Sequence, residues 1–263
     1  MDGAPNARLS QIIDQVSLRG VGAGACSAIT SEWLRAENEA SEPSAAFNRI
    51  LRNCGDQLIG IQAEERRLVS TARRLHEDQQ ALLTQQKTLH QDIAHTTEQL
   101  RRMDQQMAQN PGMRMMMQGS RASTERRLAN LTADFNEGEH KLDQLEEDVQ
   151  EAKNDVASFR GGGMERVYTS GGIRISPDPR EFAKSVERQT SAEGFYRLEL
   201  SNLQTGDGHV IGISHREDGS FKLMDPNTGE FVARDSRNLR RLLEGHVSEY
   251  GTRYTGFVVN QYE

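Results

Sequence analysis

Apolar side chains recur every seven residues along two stretches of this chain, a period that forces long amphipathic helices on any fold it adopts. Ile61, Leu68, Leu75, Leu82, Leu89 and Met103 form one series, with Thr96 its polar gap. Leu58, Ala72, Ile93, Leu100 and Met107 form a second series three residues earlier, in which Gln79 and Gln86 weaken the middle. Asn110-Pro111-Gly112 then interrupts the helix, because proline and glycine both oppose continuation. In the second run Leu128, Phe135, Leu142, Val149 and Val156 hold one heptad position. Leu131, Leu145, Ala152 and Phe159 hold the other, with Gly138 a soft point, and the run stops at the flexible joint Gly161-Gly162-Gly163. The pattern predicts a long antiparallel coiled-coil hairpin inserted over residues 56–163, its arms of about 45 residues reaching roughly 70 Å. The alternative is a helix pair whose stripe packs on a second copy of the chain.

Met113, Met115, Met116 and Met117 cluster at the turn, beside Arg114 and Arg121. They are read either as an adaptable surface for a partner or for self-association, or as side chains closing the hairpin's own core. His76, His90, His95 and His140 stand among polar residues without metal-ligand spacing, so they are read as solvated. No metal and no cofactor is expected.

Only 35% of the 263 residues are hydrophobic, which fits a long solvated element beside a smaller globular part. A formal net charge of -7 gives no bias toward nucleic acid. No apolar run approaches the ~20 residues of a membrane span. Residues 1–19 read as a polar leader with a short helix around Leu9 to Val16, without the pattern of a secretory signal. Asp2 after the initiator methionine gives no indication of N-myristoylation. Two cysteines, Cys26 and Cys54, make no disulfide framework and point to a reducing compartment.

The globular part is expected from residues 20–55 and 164–263. Gly20-Val21-Gly22-Ala23-Gly24 is a loop able to approach a substrate backbone, and from Cys26 a helix begins whose face carries Ile29, Trp33 and Ala36. Cys26 thus stands at a helix start, which favours an anion, the form in which a thiol attacks. A small buried residue is the bland reading of Cys26, and a buried, inert thiol the reading of Cys54. Ala46 to Asn53 is a further helix after Pro43. In the C-terminal hundred residues the pattern predicts an antiparallel sheet with a covering helix. Val167-Tyr168, Ile173 to Ile175, Phe195 to Leu200, His209 to Ile213, Phe221 to Asp225 and Tyr254 to Tyr262 are its strands. Asp178 to Arg188 and the stretch after Asp235-Ser236 are helices.

His209 opens one apolar strand and Asp225 closes the next, across the polar loop Arg216 to Ser220. A hairpin returns those two ends to one place. A carboxylate beside an imidazole fixes the ring's tautomer, as a general base requires. Cys26, His209 and Asp225 are therefore the candidate catalytic residues of a thiol hydrolase, with the Cys26 backbone N–H as candidate oxyanion donor.

Gly-Ala-Cys26-Ser-Ala-Ile-Thr-Ser-Glu-Trp33-Leu, Gly208-His209-Val-Ile-Gly-Ile and Asp225-Pro226-Asn227-Thr-Gly229-Glu230-Phe231 together resemble the YopT/AvrPphB family of bacterial effector cysteine proteases. The match covers the ends of the chain and skips the heptad region. The resemblance implies an α+β, papain-like core with a Cys26/His209/Asp225 triad. It also implies delivery by a type III system into the host cytoplasm, and a host-protein substrate such as a small GTPase or a kinase. Papain-like enzymes place a glutamine or asparagine oxyanion donor just before the cysteine. Leu18 to Ala25 holds neither, and Gln15 is the nearest. Two other readings stand beside the protease: an acyl or amide transferase or deamidase on the same triad, and a coiled-coil binding module.

Overall fold

The structure is a computed structural model that describes residues 8–11, 25–43, 45, 55–202, 204–205, 207–250 and 253–263. The Gly20 to Gly24 loop, the Ala46 to Asn53 helix and Cys54 lie outside them. The chain divides into two compact units, Met1–Val69 with Asn154–Glu263, and Ser70–Lys153. The fold is α+β, combining an antiparallel sheet with long helices.

In chain order the elements of the first unit begin with β1 (Arg8–Gln11) and α1 (Ala25–Glu39). Two long helices follow, α2 (Gly55–Gln109) and α3 (Arg114–Arg160), and both cross the division between the units. Then come β2 (Arg166–Thr169), β3 (Ile173–Arg174), α4 (Pro179–Gln189), β4 (Gly194–Ser201) and β5 (Gly208–His215). The chain closes with β6 (Phe221–Asp225), β7 (Gly229–Ala233), α5 (Ser236–Tyr250) and β8 (Gly256–Tyr262). Among the described residues eight strands form one antiparallel sheet in the order β1-β7-β6-β5-β4-β8-β2, with β3 on β8.

Alternation along the strands gives the sheet two apolar faces, and helices cover both. Tyr196, Leu198, Leu200, Ile211, Ile213 and Leu223 pack with Phe182, Ala183 and Val186 of α4 and Leu239 and Leu243 of α5. Both helices start on an aspartate cap: Asp178 accepts from the Arg180 N–H at 2.9 Å and Asp235 from the Asn238 N–H at 2.8 Å. The opposite face receives α1, whose Ala25, Ile29, Trp33 and Leu34 pack with Met164, Met224 and Tyr262. Trp33 is fully buried against β5, and a Cβ on Gly212 would stand 2.6 Å from its ring. Glycine there is a requirement of close approach. Central strands covered on both sides are buried almost throughout, as β5 and β6 are.

One expectation needs correction. Arg8–Gln11 is not helical; it is an edge strand pairing with β7 from Arg8↔Val232 to Gln11↔Glu230. The unpaired edge of β7 supplies hydrogen-bond partners that four residues of helix could not. β7 itself was hidden, because the turn-rich block Asp225 to Glu230 masks the strand that follows it.

Within the Ser70–Lys153 unit, later residues of α2 meet earlier residues of α3, so the two run antiparallel. The Gln86 side-chain amide donates to the Phe135 carbonyl at 3.0 Å, the His90 and Phe135 rings lie 6.1 Å apart, and Arg121 donates to Asp104 at 2.7 Å. The two soft points of the heptad pattern answer each other: a Cβ on Gly138 would stand 1.6 Å from the Gln86 amide nitrogen. Glycine makes the room that the buried amide occupies. His76, His90, His95 and His140 are exposed. A short 3-10 turn, Pro111–Met113, links the helices. Met113, Met115 and Met116 are 45%, 86% and 83% exposed, so they do not close a core.

Candidate active site

α1 begins at Ala25, which puts Cys26 in its first turn, where backbone N–H groups have no partner within the helix. The Cys26 side chain is 8% exposed and lines a cavity of about 710 Å³, whose wall also carries His209. Every lining residue belongs to the first unit.

The β5–β6 ladder runs from His215↔Phe221 to Gly212↔Met224 and stops there. Asp225 and His209 lie just past that end, and the His209 Nε2 is 2.9 Å from Asp225 Oδ1. Asp225 Oδ1 also accepts from the Asn227 N–H at 2.9 Å. With Nε2 engaged, Nδ1 is the ring nitrogen left for the thiol, and Cys26 is among the groups that favour the charged ring. The structure therefore brings together all three side chains singled out in the sequence.

Burial works against a charged His209 ring. Hydrogen bonds to Asp225 and Cys26, and the charges facing it, outweigh burial and push its pKa up to about 9. Burial likewise works against the Asp225 carboxylate. The hydrogen bond and charge of His209, the Asn227 N–H and the charge of His246 reverse that and hold it below the usual range. Asp225 and His209 are thus matched as an ion pair, and Asp225 Oδ2 has no hydrogen-bond partner among the described residues. Tyr254 stacks on His209 with ring centroids 6.4 Å apart and planes 17° from parallel, and Arg253 lies over the Tyr254 ring.

Two polar networks pin α1, and neither was visible in the sequence. At its start the Ser27 hydroxyl donates to Glu65 of α2 at 2.7 Å and accepts from Arg197 of β4 at 2.6 Å. Arg197 is 1% exposed and also donates to Ser31, to Glu199 and to the Arg160 carbonyl. Arg160 in turn donates to Glu65 at 2.9 Å. Further along the helix, Trp33 Nε1 donates to Glu230 at 3.0 Å, and Lys222 pairs with both Glu230 and Glu37. The Trp33 and Gly-Glu-Phe signatures thus have a physical reason: they fasten α1 to β6 and β7. The side chains that fasten α1 lie 38 to 197 residues from their α1 partners, so no local pattern announces them.

Among the described residues no group of three or more His, Cys, Asp or Glu is placed to hold a metal ion. Among them, too, no helix is long and apolar enough to cross a membrane.

No family model matches the chain, and no curated protein sequence matches it. Among solved structures, the chain is similar to the Pseudomonas avirulence protein AvrPphB at 17% identity, with a TM-score of 0.49, over 97% of this chain and 96% of that one. It is also similar to PatoxP, a cysteine protease-like domain of the Photorhabdus asymbiotica toxin PaTox. That match has 12% identity and a TM-score of 0.27, over 91% of this chain and 80% of the other.

Proposed function

We propose that the chain is a thiol protease. Cys26 Sγ attacks a peptide carbonyl carbon as the thiolate, and His209 holds the proton it gave up. His209 returns that proton to the leaving amine when the C–N bond breaks, and a water then hydrolyses the thioester. Asp225 fixes the ring's tautomer and stabilises its charged form. One observation carries this reading: a single imidazole, hydrogen-bonded to a buried carboxylate, shares the wall of an open cleft with a thiol at a helix start.

The proposal extends to a papain-like catalytic domain of residues 20–55 and 164–263, preceded by a leader over 1–19. Residues 56–163 form its coiled-coil insertion, whose exposed methionine tip meets a partner or a second copy of the chain. The quoted sequence blocks favour a host protein as substrate, with a small GTPase or a kinase as its class, and type III delivery into the host cytoplasm. The test is a search for new protein N-termini in host lysate treated with wild type or with Cys26→Ala. Termini that appear with wild type alone are expected. An identical set from both, or substrates that gain mass and stay intact, overturns the protease.

A further inference from the structure

The site described so far has a nucleophile, a base and an orienting acid, but no side chain assigned to the negative charge that develops on the substrate carbonyl oxygen. The cleft holds one amide suited to it. Gln62 of α2 is 8% exposed, lines the cavity with Cys26 and His209, and makes no hydrogen bond among the described residues. An amide that lines a cleft and is not engaged within the protein is free to donate to a bound ligand.

Arg66 also lines the cleft but is exposed, and most of the other side-chain donors there are already committed. The Ser27 hydroxyl is given to Glu65, the Asn202 amide to the Arg253 carbonyl at 2.7 Å, and the Arg197 guanidinium to Ser27, Ser31 and Glu199. Helix geometry fixes where Gln62 stands. It is three residues before Glu65, hence on the same face of α2 and about 4.5 Å along its axis. Glu65 touches Ser27, the neighbour of Cys26, at 2.7 Å. Gln62 therefore stands on the face of α2 that meets α1 through Glu65, in the same cavity wall as Cys26.

We propose that Gln62 is the side-chain oxyanion donor of this site. The inference rests on the thiol-hydrolase reading above. When Cys26 Sγ bonds to the carbonyl carbon, the C=O π pair moves onto oxygen. The Gln62 N–H and the Cys26 backbone N–H donate to that oxygen. The pair returns as the C–N bond breaks, and the amine leaves with the proton from His209. The donor comes from α2, downstream of the cysteine, so no residue of Leu18 to Ala25 is needed for it.

The test compares two reactions of Cys26 in the full chain, each corrected with Cys26→Ala. Acylation by p-nitrophenyl acetate passes through an oxyanion, whereas alkylation by iodoacetamide displaces iodide and does not. In Gln62→Ala the ratio of acylation to alkylation rate is expected to fall about 10²-fold or more, the scale of losing one oxyanion donor. Gln62→Met keeps the side chain's length without its donor and is expected to fall equally. An unchanged ratio in both variants overturns the inference. So does a parallel fall of both reactions, which would make Gln62 structural, or a fall in Gln15→Ala with none in Gln62→Ala. A wild-type Cys26 that reacts with iodoacetamide no faster than a simple thiol removes the site reading itself, and this inference with it.

Discussion

The two units of this protein hold charge in opposite ways. In the sheet-bearing unit Arg197 with Glu65, and Lys222 with Glu37, are largely buried and joined across long stretches of sequence. In the Ser70–Lys153 unit the ion pairs are exposed and mostly one helical turn apart, as Arg101 and Arg102 with Glu98 and Lys141 with Glu137 are. A buried charge needs its partner, whereas an exposed one has water and salt. The first unit is therefore a place where chemistry is positioned, and the second a surface along which one charge can replace another.

The largest effect that sharpens this contrast is on turnover. Cys26→Ala or His209→Ala is expected to lower peptide cleavage at least 10³-fold, because members of one catalytic unit fail together. No single substitution within Ser70–Lys153 should approach that loss on a short peptide, and one that did would break the comparison. Next is stability. Arg197→Met leaves Glu199 and Glu65 to share Arg160 alone, and denaturant unfolding is expected to show a loss of about 3 kcal/mol. Arg101→Met, in the helix pair, should leave the unfolding midpoint where it was.

A smaller effect lies at the Gln86 and Gly138 contact. Gly138→Ala alone gains helix propensity but displaces the amide that donates to Phe135. Combined with Gln86→Ala it should be more stable than Gly138→Ala alone by about 1 kcal/mol, read by a double-mutant cycle in urea. An additive cycle would mean that the two positions do not meet.

The pH dependence of the buried site belongs to the first unit. The pKa of His209 is raised to about 9, above the roughly 6.5 of an unfolded histidine, so its contribution is complete at low pH and lost as pH rises through about 9. The Asp225 pKa is lowered, so its contribution is present above the ordinary carboxylate pKa and lost as pH falls through the depressed one. The thermal-midpoint difference between wild type and His209→Gln is therefore expected to shrink as pH rises from about 6.5 to about 9, and cleavage to decline above about 9. The NMR titration of the His209 ring should show a midpoint near 9, moving down in Asp225→Asn.

What the sequence disclosed followed the range of its interactions. The heptads showed the long helices, because their period is local. His209 and Asp225 were legible as a pair because one hairpin joins them, and Cys26 because its surroundings resemble a known family. Ser27, Glu65 and Arg197 were not legible: each is unremarkable where it stands, and only the packing of α1 against β4 and α2 makes them a network. Gln62 was hidden among the glutamines of a solvated helix, and its burial distinguishes it. The Arg8 strand was misread because an edge strand takes its conformation from its neighbour, not from its own four residues.

The account stands most directly on how Cys26 reacts. Labelling the full chain with an epoxide thiol probe, followed by mass spectrometry of its peptides, reads this in one experiment. Modification of Cys26 well ahead of Cys54, abolished in His209→Ala, is the predicted result. Equal modification of the two cysteines, or labelling of Cys26 that survives the loss of His209, would contradict it.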